Sequence, residues 1–313
     1  SPLEIQKLYT LGQARIANSP VMSLTSGLVG YWTFDGQNTN WATGKTFDMS
    51  GKGNHGRMIS MSTSTTPTAG KIGQGFKFDG VNDHVGIPYN TSINGISNSI
   101  ATISLWANLS TFANVNGSNV LFSTWDGTAY ISFDVGTTGI VKLFGNSGGG
   151  SISSPSAILK NTWYHLVAVF DGTRGYIYIN GALAVKGTLT FGATTRDSQI
   201  GSECSGAGST TCDEFLNKGK IDEVRFYNRA LSPLEIQKLY TLGQARIANS
   251  PVMSLTSGLV GYWTFDGQHT NWATGKTFDM SGKGNHGTMT NMTTSTTPTA
   301  GKFGQAFRFD GVN

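Results

Sequence analysis

Residues 1–82 recur as residues 232–313 at a constant offset of 231, so the chain is one full period plus the first 82 residues of a second. Only eight positions differ: Asn38/His269, Arg57/Thr288, Ile59/Thr290, Ser60/Asn291, Ser62/Thr293, Ile72/Phe303, Gly75/Ala306 and Lys77/Arg308. A period this long describes an array of domains, because solenoid units run about 20–50 residues. The repeat also sets the expected boundaries. Residues 1–26 read as a helical connector ending a preceding repeat, 27–231 as a complete domain, 232–257 as a second connector, and 258–313 as the first part of a second domain. The expected natural polypeptide is therefore a longer tandem array.

Only 13% of the residues are charged, while 42 are Gly and 38% are apolar, which fits a strand- and turn-rich globular chain and neither a disordered tail nor a coiled coil. The net charge is +4, but the 22 Lys and Arg lie scattered without the basic stripe that phosphate neutralisation requires, which argues against nucleic acid as a partner. No run approaches the roughly 20 apolar residues that span a bilayer, and the first residues lack signal-peptide architecture. If the protein is exported, its signal is expected outside this sequence.

Ser232-Pro233-Leu234-Glu235 reads as a capping box with Pro in the first turn, followed by apolar Ile236, Leu239 and Tyr240. It predicts a helix over 232–246 and the same over 1–15. Elsewhere β-branched and aromatic residues alternate in short runs bounded by Gly, Asn and Asp, as in GLVGYWTF, ATISLWANL and WYHLVAVF. Asn180-Gly181 is a two-residue hairpin signal. The pattern predicts an all-β sandwich with short connecting helices.

The ordered motifs GLVGYWTFDG (27–36), DMSGKGNHG (48–56), GFKFDGVNDHVGIP (75–88), ATISLWANL (101–109), WYHLVAVFDG (163–172), YINGALAV (178–185) and GKIDEVRFYNRALSPLEIQKLY (219–240) resemble a laminin-G-like, concanavalin A-like jelly-roll domain. The resemblance covers about 27–240, with 258–313 a second start. It implies two antiparallel sheets packed face to face, often a structural calcium ion, and roles in extracellular carbohydrate binding, adhesion or surface display. Fold alone does not choose among these. By the same resemblance Asp35 and Asp222, which join the first and last strands, are the favoured calcium ligands, with Asp48, Asn54 and Asp79 as lesser contributors. The competing reading of Asp48, Asp79 and Asp171 is a turn residue accepting its own backbone N–H groups.

Catalysis on such a scaffold needs paired carboxylates, in related hydrolases an E-x-D-x-x-E run, and none is present. Asp222-Glu223 and Asp213-Glu214 are adjacent pairs whose side chains point to opposite faces if they lie on strands. No nucleophile motif joins any of the five histidines, and His165 reads as a packed or surface residue. The chain is expected not to be an enzyme. Cys204 and Cys212 flank SGAGSTT, where Gly and Ser let the sulfurs meet; a disulfide is favoured over two buried thiols, and it implies an oxidising compartment. Zinc is disfavoured because neither cysteine has a ligand at zinc spacing.

Trp32, Trp106 and Trp163 read as core. Trp41 and Trp125, in polar Gly- and Asn-flanked contexts, are the candidates for stacking on a sugar ring, although Trp41 reads equally well as a packing anchor preserved at Trp272. Sequons stand at Asn90, Asn108 and Asn116, and a Ser/Thr tract at 62–68. Residues 83–231 can be completed by the copy before them or the copy after, and the sequence does not rank the two. The reading is an extracellular or surface-displayed tandem-repeat protein whose partners are further copies of itself in a filament, stalk or adhesin. The alternative is a lectin-like module binding extracellular glycans through Trp41, Trp125 or a calcium-bound loop; a glycan hydrolase is the third.

Overall fold

The computed structural model describes residues 24–95, 100–113, 117–125, 131–145, 150–204, 212–244, 259–295, 297–301 and 304–311. The helix expected over 1–15, the sequon at Asn116 and the loop 205–211 lie outside the described residues.

Two antiparallel sheets pack face to face. One has eight strands in the order Ala182–Thr188, Arg174–Ile179, Tyr164–Asp171, Ile100–Leu109, Gly219–Tyr227, Gln74–Phe78 and Pro67–Ala69, with Leu28–Trp32 also paired to Gly219–Tyr227. The other has nine: Ser151–Ala157, Ile140–Gly145, Ile131–Gly136, Ser118–Ser123, Ser198–Ile200, His84–Ile87, Gly56–Ile59, Lys45–Thr46 and Thr39–Asn40. Their facing sides bury the large side chains, among them Trp32, Phe76, Phe78, Phe122, Phe133 and Phe226. Period-2 alternation decides which residues enter this core: along Ile100–Leu109, Ala101, Ile103, Leu105 and Ala107 face inward, while Thr102, Ser104 and Trp106 face out.

Outward does not mean exposed here, because a helix covers that face. This helix, α1 (Pro233–Gln244), begins as its capping box requires: Ser232 N and Oγ donate to Glu235 Oε2 at 2.9 and 2.8 Å, and Glu235 N donates to Ser232 Oγ at 3.4 Å. Ile236 and Leu239 pack with Val167, Val169, Tyr178 and Tyr227 into a second, smaller core. Trp106 therefore lies under α1, stacked on Tyr240 at 5.8 Å, and not between the sheets; a Cβ on Gly243 would sit 2.3 Å from its ring. Trp163 is only half-buried, just before its strand. The hairpin turns at Asn180-Gly181, both with positive φ (52° and 80°), as a tight two-residue turn of matching twist demands.

The strands that complete residues 83–231 come from the first copy. Leu28–Trp32 pairs with Gly219–Tyr227, Gln74–Phe78 with the start of the same strand, and Gly56–Ile59 with His84–Ile87. In the second copy the equivalents of all three seams lack a partner strand among the described residues. Its short strands pair only with one another: Thr270–Asn271, Lys276–Thr277 and Gly287–Thr288 in one group, Pro298–Ala300 and Gln305–Phe307 in another.

Candidate functional site

The site lies where the first strand, the last strand and the loop 70–74 meet. Asp35 follows the strand Leu28–Trp32, and Asp222 sits inside Gly219–Tyr227. Both turn their carboxylates toward the loop: Asp35 Oδ1 accepts from Gln74 N at 2.9 Å and Asp222 Oδ2 from Ile72 N at 2.8 Å. Two glycines make this approach possible. A Cβ on Gly73 would stand 2.3 Å from Asp35 Oδ1, and one on Gly70 2.6 Å from Asp222 Oδ2.

Glu223 joins the cluster because the strand bulges. The register shifts between Asp222 and Arg225, and Glu223 takes φ 55°. The alternation that would send adjacent carboxylates to opposite faces is interrupted there, and both are buried. Glu223 Oε2 is held by Arg225 at 2.5 Å and by the Tyr31 hydroxyl at 2.8 Å, with the guanidinium lying 4.0 Å over the Tyr31 ring.

Asp35 and Asp222 have no such counter-charge in an ion pair among the described residues. Burial, followed by the nearby Glu223 and Asp266, pushes Asp35 up to about 7 against the pull of the Gln74 N–H. Burial and Glu223 hold Asp222 well above the usual carboxylate range. Asp222 Oδ1 is buried with no hydrogen-bond partner among the described residues. Two buried carboxylates, one with an unsatisfied oxygen, are hard oxygen donors of the kind calcium prefers, although among the described residues the three-residue His, Cys and acidic group near enough to share one ion is His84 with Cys204 and Cys212.

The other candidates are occupied locally. Asp48 Oδ1 accepts from Tyr31 N and Ser50 N, and its Oδ2 accepts from Asn54 N and Ser50 Oγ. Asp79 Oδ1 accepts from Val81 N and Asn82 N in its own turn, and Asp171 Oδ1 does the same with Thr173 N and Arg174 N. Asn54 donates to Val29 O at 2.6 Å and leaves Oδ1 buried without a partner among the described residues.

Trp41 is half-buried, tilted on Phe76 at 5.8 Å; Trp272 repeats the contact on Phe307 at 5.7 Å, so this tryptophan packs in both copies. Trp125 stands half-buried just after Ser118–Ser123. Cys204 and Cys212 are joined as a disulfide across the hairpin Ser202–Cys204 and Cys212–Phe215. His84 approaches both sulfurs, but a disulfide offers no thiolate to a metal. His165 is fully buried, its Nε2 2.9 Å from Ser104 Oγ, and burial with nearby Arg225 and Lys71 depresses it to about 3. Asn90 opens a turn and Asn108 lies within a central strand.

A cleft of about 140 Å³ opens beside the cluster, lined by Tyr31, Asp35, Ile72 and Glu223 and closed by Gly301 and Gly304 of the second copy. Gln37 Nε2 donates to Gly304 O at 3.0 Å across this boundary. Sequence reasoning missed the Glu223–Arg225–Tyr31 cluster and the part played by loop 70–74. The Gly spacing of AGKIGQG (69–75) was the available signal.

Among solved structures the chain is similar to domain 4 of AbnA, an extracellular GH43 arabinanase of Geobacillus stearothermophilus, in complex with arabinotriose. The identity is 22% over 68% of this chain and 98% of that one, with a TM-score of 0.51. It is also similar to the botulinum neurotoxin serotype D binding domain (14%, 71% and 52%, TM-score 0.53) and to Trypanosoma rangeli sialidase with the inhibitor DANA (16%, 76% and 37%, TM-score 0.51). The chain thus spans about half of the toxin domain and little more than a third of the sialidase. No curated protein matches the sequence. No helix among the described residues is long and apolar enough to cross a membrane. The model of the laminin G family described as the concanavalin A-like lectin/glucanases superfamily matches residues 79–237, half of the sequence, and the chain belongs to that family.

Proposed function

We propose that the chain is an extracellular or cell-surface, non-enzymatic structural protein whose β-sandwich repeats pack end to end in a filament, stalk or adhesin. The observation that carries this reading is the seating of one copy and not the other. The first copy is built into the sandwich, while among the described residues the short strands of its near-identical twin pair only with one another. A copy that completes one sandwich, followed in sequence by a second start of the same fold, is suited to serial joining, and α1, packed on the sandwich and preceding the second copy, supplies the joint. The carboxylates support a non-enzymatic role: Asp35 and Asp222 each accept a backbone N–H, and Glu223 is locked to Arg225 and Tyr31. The disulfide agrees with an oxidising compartment. Electron microscopy of the native material tests the reading. Filaments or rods with an axial repeat of one sandwich plus its helix are expected, and separate beads without regular contacts would overturn it.

A structural calcium ion belongs to this reading, held by Asp35 and Asp222. It would cross-link the first strand and the last, the two that meet only through the repeat. Calcium is expected to raise the melting temperature and a chelator to lower it, with Asp222→Asn abolishing the difference.

The likeness to an arabinanase domain crystallised with arabinotriose, over 98% of that domain, favours glycan binding as a second reading. The two stacking candidates, Trp41 against Phe76 and Trp125 just after Ser118–Ser123, are both half-buried. Glycan-array binding lost on Trp125→Ala is the expected result; an array without hits would remove this reading and leave the structural one intact.

A further inference from the structure

The eight differences between the copies are not spread evenly over the structure. Four leave local geometry unchanged. Asn38 Nδ2 donates to Thr33 Oγ1 at 2.9 Å, and His269 Nδ1 replaces that contact with Thr264 Oγ1 at 2.7 Å. Ser60 and Asn291 both take positive φ, at 61° and 57°. Ser62 N and Thr293 N each donate to the Thr hydroxyl four residues on. Lys77, opposite Lys220, keeps its charge as Arg308.

The other four lie, like Lys77, on the seam with residues 83–231, and at each the second copy changes charge, polarity or volume. Arg57 makes an ion pair with Asp197 at 2.6 Å, where Thr288 has no charge to offer. Ile59 pairs with His84, and its Cδ1 reaches the open side of Gly86; Thr290 is shorter and polar. Ile72, 4% exposed with its N–H on Asp222 Oδ2, lines the cleft beside the cluster, and the second copy's sequence replaces it with the larger, aromatic Phe303. Gly75 is the most restrictive of the four. A Cβ there would stand 2.9 Å from the carbonyl oxygen of Ile221 and 3.2 Å from Gly70 Cα, both backbone atoms, and the second copy has Ala306.

We infer that these four positions make the 83–231 body selective for the copy that precedes it, and reserve the strand-completing face of 259–311 for a different body of the same fold. The inference deepens the array reading and rests on it. The first copy shows how such a face is covered: residues 28–32 and 74–78 flank the last strand, and 56–59 pairs with the strand after the repeat. The partner that fits the second copy is a concanavalin A-like body with room for a methyl group opposite position 306 and with no carboxylate awaiting an arginine at 288. A mismatched seam of this kind keeps neighbouring repeats in register and prevents one body from accepting the wrong flank.

Hydrogen exchange on the full chain tests the inference, since Asn38 and His269 give otherwise similar peptides different masses. The reciprocal variant Thr288→Arg/Thr290→Ile/Phe303→Ile/Ala306→Gly alters only the unseated copy, so it does not threaten the fold of the sandwich. Its His269-bearing peptides are expected to gain protection at the expense of the Asn38-bearing ones, bringing a wild-type ratio of about 100-fold or more to within about tenfold. The complementary variant Gly75→Ala is expected to shift the ratio the same way. An unchanged ratio in the reciprocal variant would overturn the inference, because chain connectivity would then set the seat. Concentration-dependent wild-type oligomers formed by 259–311 entering the body of a second chain would overturn it as well. Filaments seen by microscopy together with an unchanged ratio would refute seat selectivity while leaving the array reading standing.

Discussion

Residues 28–82 and 259–311 are nearly the same sequence in two environments, and what they share separates local from long-range folding information. The small-scale structure is common to both. Phe34 stacks on Phe76 at 4.2 Å and Phe265 on Phe307 at 4.4 Å; Phe47 meets His55 edge-on at 5.4 Å and Phe278 meets His286 at 5.3 Å. The turn around Asp48 recurs around Asp279, with Tyr262 N donating to its Oδ1 at 2.8 Å. The strands are not common. Trp32 is fully buried, whereas Trp263 is 37% exposed, and Val29 goes from 3% exposed to 70% at Val260. Turns and aromatic stacks such as Phe34–Phe76 form between residues of the same copy, while the first strand exists only where Gly219–Tyr227 receives it.

The largest predicted contrast uses one substitution in both places. Trp32→Ala removes a fully buried ring and is expected to cost about 3–5 kcal/mol, whereas Trp263→Ala is expected to cost under about 1 kcal/mol, because that ring has little core to leave. Denaturant midpoints of the two variants measure this. Equal losses would mean that the second copy is buried in solution.

The next contrast is electrostatic. Asp35 is raised to about 7 in the folded chain against an ordinary 3.8, so the folded state holds the extra proton between those values. Its contribution is fully present below pH 4 and is lost as pH rises through about 7, a fall on the order of 2–4 kcal/mol without calcium. Asp35→Asn is expected to flatten that slope, and Asp266→Asn to leave most of it. Unfolding followed from pH 4 to 8 in a chelator reads the sign directly, and stability rising over that window would contradict the burial argument. The smallest effect is the exposed ion pair: Arg57→Thr is expected to cost about 0.2–1 kcal/mol, less at high salt, and Thr288→Arg to change stability by less still.

Much of this was legible in the sequence. The capping box Ser232–Glu235, the Asn180-Gly181 turn and the alternation along Ile100–Leu109 are local signals, and the structure realises each. The convergence of Asp35 and Asp222 on one loop was visible only through family resemblance, since 187 residues separate them. Three features were out of reach. The bulge at Glu223 breaks period-2 alternation with no Gly or Pro to announce it. Trp106 looks like sandwich core because the helix that covers it lies over 120 residues away. The choice between copies rests on four side chains whose meaning appears only beside Asp197, Ile221 and Asp222.

The central claim is that residues 83–231 fold with the copy before them. Hydrogen exchange of the unmodified chain tests it most directly, comparing peptides over 28–49 with those over 259–280. Slow exchange in the Asn38-bearing peptides and fast exchange in the His269-bearing ones is the predicted result; equal protection, or protection of the second copy alone, would contradict it.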